Sequence, residues 1–540
     1  MVKYGGSISG EHGDGQARAE LLPIMFGPEL VQVFGAFKAI WDPDAKMNPG
    51  KVVDPYRIDQ NLRLGTSYDP PQLKTHFSFV DDRSSFSQAT LRCVGVGKCR
   101  KHEGGTMCPS YMVTREEMHS TRGRARLLFE MLQGNPLRNG WRDEHVKEAL
   151  DLCLACKGCR GECPVQVDMA TYKAEFLSHY YAGRIRPITA YTMGLIYWWA
   201  RLASHAPRLV NVFTQTPLLR DAVKRLGGVA PERQIPAFAP QTFKHWFRQR
   251  GRRNEGKPRV ILWPDTFNNH FFPDTARAAV TVLEAAGYEV IVPESSLCCG
   301  RPLYDYGFLD AAKRLLRQIL DTLGPEIKAG VPLVGLEPSC LAVFRDELVN
   351  LFPHDADARR LSQQSFLLSE FLQKKAGSYQ PPQLRRTALV HGHCHHKAIM
   401  KMDDEEAVLK EMGVDFTVPD SGCCGMAGAF GFERDHYDVA MACGERVLLP
   451  AVREADSDTL IIADGFSCRE QIAQTTDRRA LHLAEVLQLA MREEARPEGS
   501  DEERPSVNGR STARAGGAVL LGTGLILVGA AWELSRRRWQ

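Results

Sequence analysis

The sequence lacks a strong charge of either sign. Its 540 residues carry 68 Lys and Arg against 65 Asp and Glu, a net +3, which directs no field at nucleic acid. It lacks a dinucleotide- or flavin-phosphate loop, since no strand-to-helix glycine turn of that type occurs. It lacks an uncharged apolar run of membrane-spanning length before residue 515. Its 15 cysteines lack the pattern of a small disulfide framework. They cluster as Cys-Cys pairs and Cys-Pro units, which points to metal ligation in a reducing compartment. What remains is ordinary globular composition, 44% hydrophobic and 25% charged, enough chain for about three to four domains.

The strongest signal is "CLACKGCRGECP". It places Cys153, Cys156, Cys159 and Cys163-Pro164 at spacings of two, two and three residues. This is the run of bacterial two-cluster ferredoxins, in which three thiolates wrap one iron–sulfur cube and the fourth ligates the other cluster. The partner run, "CVGVGKCRKHEGGTMCP", holds Cys93, Cys99 and Cys108-Pro109, one cysteine short of four. Crossover ligation then gives Cys108, Cys153, Cys156 and Cys159 a complete [4Fe-4S] set. Cys93, Cys99 and Cys163 form a three-thiolate set, for a [3Fe-4S] cluster or one with another fourth ligand. His102 and Glu103 lie in that loop, although solvated loop residues are the commoner case. A structural zinc site is the bland alternative and fits the spacing poorly. The basic segment "HSTRGRARLL" follows, either a solvated helix face or a source of positive potential beside a cluster.

An internal repeat comes next. Cys-Cys-Gly units begin at Cys298 and Cys423, a period of 125 residues, each within alternating strand and helix patterns that predict α/β units with parallel sheets. Copy two offers Cys394, Cys423, Cys424 and Cys468. Copy one offers Cys298, Cys299 and Cys340, with Phe267 at the position matched to Cys394. His391, His393, His395 and His396 surround Cys394 and read individually as polar loop or core residues. Cys443 reads as core.

The chain opens on "GGSISGEHGDG", with "MNPGKVV" downstream. These motifs resemble the end of FAD-linked oxidases of the vanillyl-alcohol oxidase type. The ferredoxin run followed by paired Cys-Cys-Gly repeats resembles iron–sulfur subunits related to heterodisulfide reductase. Together they resemble the C-terminal half of a bacterial fused FAD-linked oxidase and iron–sulfur protein. The resemblance implies His12 as the base that takes a substrate hydroxyl proton, Glu11 as a holder of a substrate-side metal, and Asn48 at the flavin ring. Histidine suits that role near neutral pH. FAD itself would need a front half, expected either upstream of an internal Met1 or on a separate chain.

The expected fold is therefore mixed α/β. A remnant of the oxidase domain occupies 1–55 and a connector 56–85. A helical two-cluster ferredoxin domain spans 86–170, and a helical region 171–257. The repeats span 258–383 and 384–490. A disordered linker at 491–514 precedes an apolar helix at 515–534, whose run 515–532 is long enough to anchor the chain at the cytoplasmic face of an inner membrane. The implied activity is iron–sulfur electron transfer from a flavin that oxidises a 2-hydroxy acid to a membrane quinone, with no nucleic-acid partner. The alternatives are a thiol–disulfide oxidoreductase of heterodisulfide-reductase type and a non-catalytic metal-stabilised scaffold.

Overall fold

A computed structural model describes residues 1–62, 64–65 and 68–495, and the apolar run at 515–532 lies outside them. The chain divides into two compact units, Met1–Gln72 and Leu73 onward. In the first, the glycine-rich opening forms turns rather than regular structure. The helix Pro28–Trp41 starts on Pro28, whose fixed φ and missing N–H suit a first helical position. It ends at Asp42, whose carboxylate accepts from the backbone of Lys46 and Met47 at 2.8 and 2.9 Å. That brace holds the loop leading to Asn48. Val33, Phe37 and Ile40 on this helix are exposed.

The second unit begins inside the expected connector. Residues 76–79 are stitched to two elements far along the chain. The backbone of His76 and Phe77 donates to the buried Glu175 carboxylate at 2.9 and 3.0 Å. Ser78 and Phe79 donate to Asn350 Oδ1 at 3.0 and 2.9 Å. Phe77, Phe79, Phe86 and Tyr172 then pack as one aromatic core. Four carboxylate- and amide-accepted N–H groups let this irregular segment be buried without orphaned donors.

The ferredoxin segment is built from short helices, among them Pro109–Thr114, Thr121–Gln133, Glu144–Asp151, Gly158–Glu162 and Met169–Tyr180. Ser120 and Asp143 cap two of them by accepting first-turn N–H groups. Beyond it, each repeat is a four-stranded parallel sheet. The first comprises β1 (Arg259–Leu262), β2 (Glu289–Ile291), β3 (Leu333–Gly335) and β4 (Ser365–Leu367), in the order β2-β1-β3-β4. The second comprises β5 (Thr387–Val390), β6 (Asp415–Thr417), β7 (Leu460–Ile462) and β8 (Ala480–Leu481), in the order β6-β5-β7-β8. Continuous apolar strands such as "VIL" and "LII" fit sheets covered on both faces. The strand order reverses between β1 and β3, and again between β5 and β7, so the carboxyl ends of those strands form the crevice where such folds place ligands.

The repeats interlock. Arg469 donates to Thr275 Oγ1 at 2.8 Å, and Phe466 N donates to Glu337 Oε2 at 2.8 Å. The last helix, Leu483–Glu494, runs four residues into the stretch expected as linker, because Ala490 is buried and Glu493 pairs with Arg386. Among the described residues no helix is long and apolar enough to cross a membrane.

One latch between the ferredoxin segment and repeat two is pH-sensitive. His436 lies 3.0 Å from Asp151 and 2.8 Å from Glu433. Burial opposes its charge, but Asp151 and Glu433 outweigh burial and raise its pKa to about 9. A raised pKa stabilises the fold fully below the unfolded value near 6.5, and the contribution is lost as pH climbs through about 9. Asp151 is half exposed, so screening leaves about 1–2 kcal/mol. Denaturant titration should show stability declining by that amount between about pH 6.5 and 9, and His436→Gln should flatten the decline.

Candidate functional site

Two small cavities in the ferredoxin segment collect its seven cysteines. The first is lined by Cys108, Cys153, Cys156 and Cys159 together with Thr121, Arg124, Leu154 and Met169. All four thiols are buried. Ala155 and Lys157 adopt left-handed backbone at φ 48° and 59°, which curls the loop so that three cysteines face one point. Polar groups then aim at the sulfurs. Arg124 donates to Cys108 Sγ at 3.5 Å, Thr121 Oγ1 lies 3.3 Å from the same sulfur, and Met169 N donates to Cys159 Sγ at 3.4 Å. Arg124 is itself buried, with its other donors on Ala149 O and Ser110 Oγ. The basic segment is thus only partly a solvated face, since one of its arginines touches a candidate ligand.

The second cavity is lined by Cys93, Cys99 and Cys163, with Val94, Val96, Pro164 and Val165 around them. Arg122 N, in the first turn of Thr121–Gln133, donates to Cys99 Sγ at 3.3 Å. Thr121 lines both cavities, so the positive end of that helix stands between them. Burial pushes the Cys99 thiol up to about 11. Neither His102 nor Glu103 lines this cavity. Both are exposed, and the His102 ring turns toward Tyr111 instead. A fourth ligand from that loop is not what the fold provides.

In repeat two, Cys394 follows β5, the Cys423-Cys424 pair follows β6, and Cys468 follows β7. Their buried thiols neighbour one another in the order Cys394, Cys423, Cys424, Cys468. The hydrogen bond from Cys423 and the imidazoles of His393 and His395 hold Cys394 well below the usual thiol range, against burial. Hydrogen bonds from Cys423 and Cys468, then His391, do the same for Cys424. His391, Cys424 and Cys468 form one compact ligand group, and His393, Cys394 and His395 another. The histidines expected as separate loop or core residues are all buried, and three of them stand against the thiols. Cys423 and Cys468, which donate to Cys394 and Cys424, are pushed well up by the same contacts and by burial. Four buried sulfurs, two of them favoured as thiolates and backed by imidazoles, fit a metal cluster. Cys443 is buried among apolar neighbours.

Repeat one differs in kind. Cys299 and Cys340 Sγ lie 3.0 Å apart, with Cys298 adjacent. The position of Cys394 is taken by Thr266, not Phe267. Strand register decides this: β1 residue 261 pairs with β3 residue 333, and β5 residue 389 pairs with β7 residue 461, a shift of 128 on both strands. The Cys-Cys-Gly units are only 125 apart, because the β1–β2 connection is longer than its counterpart by two residues and the stretch from β2 to Cys298 by one more. Thr266 Oγ1 sits 3.6 Å from Cys298 Sγ, as Cys394 sits against Cys423, while Phe267 stacks on Phe466 at 4.2 Å. The surroundings are acidic rather than basic. At Cys340 the hydrogen bond from Cys299 favours the thiolate, but burial, Asp265 and Glu337 outweigh it and push the thiol up to about 11.

The first ferredoxin cavity and repeat two adjoin. Cys156, Cys394 and Cys423 belong to one buried cluster with Leu154 and Phe430. Helix Gly158–Glu162 packs so closely on residues 396–400 that a Cβ on Gly161 would meet Ala398 Cα at 3.0 Å. In the first unit, Glu11 and His12 touch at 3.0 Å but are 87% and 83% exposed, and Asn48 is exposed in left-handed backbone.

Comparison with known families agrees with this division. Residues 1–52 match the C-terminal domain of FAD linked oxidases, 89–167 a 4Fe-4S dicluster domain, and 266–345 and 389–473 the cysteine-rich domain. The chain is an iron–sulfur protein. It is homologous to D-2-hydroxyglutarate dehydrogenases of Pseudomonas putida and Escherichia coli, 28% and 27% identical over 91% and 90% of this chain and 52% of each relative. The chain thus spans about half the length of those relatives. It is also 25% identical to the glycolate oxidase iron-sulfur subunit of Escherichia coli, over 74% of this chain and 94% of that one.

Arg124 gives this iron–sulfur protein a measurable handle. Its charge beside Cys108 favours the more negative, reduced state of a cluster held there. Arg124→Gln should lower that cluster's potential by roughly 50 mV, about 1 kcal/mol for one electron. Arg124→Lys should restore part of the loss, with iron content unchanged in both. Potentiometric EPR reads the shift.

Proposed function

We propose that the chain is the electron-transfer part of a flavin-linked D-2-hydroxy-acid dehydrogenase of D-lactate, glycolate or D-2-hydroxyglutarate type, delivering electrons to a quinone at a membrane. The observation that carries this reading is the shared buried cluster of Cys156, Cys394 and Cys423. It joins the ferredoxin ligand set to the four-thiol set of repeat two through directly packed, buried side chains. The dehydrogenase names of the relatives support the substrate class.

In this reading Cys108, Cys153, Cys156 and Cys159 hold one [4Fe-4S] cluster, and Cys93, Cys99 and Cys163 a three-thiolate cluster. Cys394, Cys423, Cys424 and Cys468 hold the centre of repeat two. A bound flavin would take the substrate's hydride, and bound clusters would carry single electrons onward. The chain's own residues do the rest. His12 accepts the hydroxyl proton, Glu11 helps hold a substrate-side metal, and Asn48 borders the flavin ring. Leu154, Phe430 and Met169 keep water from the sulfurs, and Arg124 and the Arg122 N–H offset their charge.

The membrane reading draws on two features. One is the run 515–532. The other is the helices between residues 188 and 227, which expose Trp198, Trp199, Leu202, Leu209, Leu218 and Leu226. Arg201, Arg208, Arg220 and Arg225 accompany them, and Asp221 is the one acid of residues 184–226. Exposed Trp and Leu interleaved with Arg suit an anionic lipid surface.

Two outcomes are expected. Cys424→Ser should lose the centre of repeat two and cut reduction of a short-chain quinone at least about tenfold, whereas Cys340→Ser should have a partial effect. Iron counting and quinone assays under anaerobic conditions read both, and equal, complete loss would instead mean one site shared by the repeats. Deleting residues 515–540 should release the chain from anionic vesicles in flotation. If the shortened chain still floats, the anchor lies in the helices of 188–227.

A further inference from the structure

A cavity of about 670 Å³ opens beside the Cys-Cys-Gly loop of repeat one. Its size falls in the range of small-ligand sites, roughly 300–1,000 Å³. Thr266, Asn269 and His270, from the short helix that follows β1, form its buried floor. Leu297, the residue before Cys298, borders it. Arg201, Lys244 and Arg248 stand at its more exposed edge, and Glu294 is the one acidic side chain in the lining.

One carboxylate, Glu294, faces these three cations and pairs with none of them. Lys244 Nζ donates to the carbonyls of Glu294 and Ser295, both at 2.8 Å. Arg201 lies over the Tyr197 ring. Among the described residues no carboxylate forms an ion pair with either of them or with Arg248. Burial, then Arg248 and Arg201, push the Lys244 pKa down to about 8 and outweigh the opposing charge of Glu294, as expected where like charges converge.

The floor supplies a second, independent observation. Asn269 Oδ1 accepts from the backbone N–H of Lys244 at 3.0 Å, which fixes the orientation of its amide. The Asn269 NH2 therefore donates to His270 Nε2, also at 3.0 Å. That places the imidazole proton on Nδ1. His270 is 7% exposed, and its Nδ1 is buried with no partner. A buried donor without an acceptor is unfavourable, and it belongs to a residue that lines a cavity edged by three cations.

We propose that this cavity binds a small ligand through its carboxylate or phosphate group, gripped by Arg201, Lys244 and Arg248 above a floor of Thr266, Asn269 and His270. The bound oxyanion would lie against Thr266, whose hydroxyl is 3.6 Å from Cys298 Sγ. Its charge would oppose added negative charge on the thiols of repeat one, so occupancy and the electronic state of that repeat are linked. The inference stands independently of the dehydrogenase reading, because it concerns binding alone.

Isothermal titration of the full chain, purified anaerobically with its iron and kept at low chloride, tests it. Inorganic phosphate and succinate, a plain dicarboxylate, are the two probes. Binding of both supports the shared oxyanion chemistry, and binding of one alone identifies the class. Arg201→Gln combined with Arg248→Gln should weaken the better probe at least about tenfold, or 1.4 kcal/mol, with iron content and circular dichroism unchanged. No binding of either probe at about 10 mM, or equal binding by the double variant, overturns the proposal.

Discussion

Lys157 lies between Cys156 and Cys159, and its ammonium is fully enclosed. Asp168 and Asp346 each approach to 2.7 Å and Glu347 to 3.2 Å. Asp168 belongs to the ferredoxin segment and the other two to repeat one, so a single charge holds the cysteine loop against a separate α/β unit. Glu347 is shared onward with Arg301 at 2.9 Å, and Arg301 is the residue after Cys298-Cys299-Gly300. A lone buried ammonium would be prohibitively costly, and so would three buried carboxylates. The network is tolerable only when both partners are docked. The geometry of one thiol cage and the position of one Cys-Cys-Gly loop are thereby set by the same ions.

Because that clamp fixes the ferredoxin loop against repeat one, the loop's other side is free to meet repeat two. Gly161 allows the backbone contact there, and Cys156 joins Cys394 in one dry cluster. The two repeats share a sheet order but present opposite electrostatics. Imidazoles stand against Cys394 and Cys424 of one and favour their thiolates. Asp265 and Glu337 border those of the other and disfavour them. Thr266 in place of a fourth thiol belongs to the same difference. Duplication supplied two crevices at two topological switch points, and a few side chains at the strand ends gave them different chemistry.

Much of the candidate site was legible in the sequence because cluster ligation is local. Cys153, Cys156 and Cys159 act through fixed short spacings, and the crossover of Cys108 and Cys163 follows from the same loop geometry. Both ferredoxin cavities collect the cysteines that spacing assigned to them. The Cys-Cys-Gly repeat and its parallel sheets were likewise readable, since apolar strands and helical periods recur in order. The match of Phe267 to Cys394 is off by one position, since the strand register sets the shift between the copies at 128 and puts Thr266 there. Counting from the first strand of each copy gives the same register as the pairing of β1 with β3 and of β5 with β7, whereas the Cys-Cys-Gly spacing carries the loop-length differences.

The sequence by itself determined which thiols belong together within each loop, that two α/β units follow one another, and that the first fifty residues form a separate element. These depend on neighbours along the chain, where spacing and period act directly. Tertiary structure alone decided that Lys157 bridges to residues 346 and 347, that Arg124 turns inward onto Cys108, and that imidazoles gather at one crevice while carboxylates gather at the other. It also decided that His270 is left with an unmatched N–H beside three unpaired cations. Each of those outcomes rests on charges brought within a few ångströms from distant segments, and the energy of a charge depends on what surrounds it in space rather than on its place in the chain.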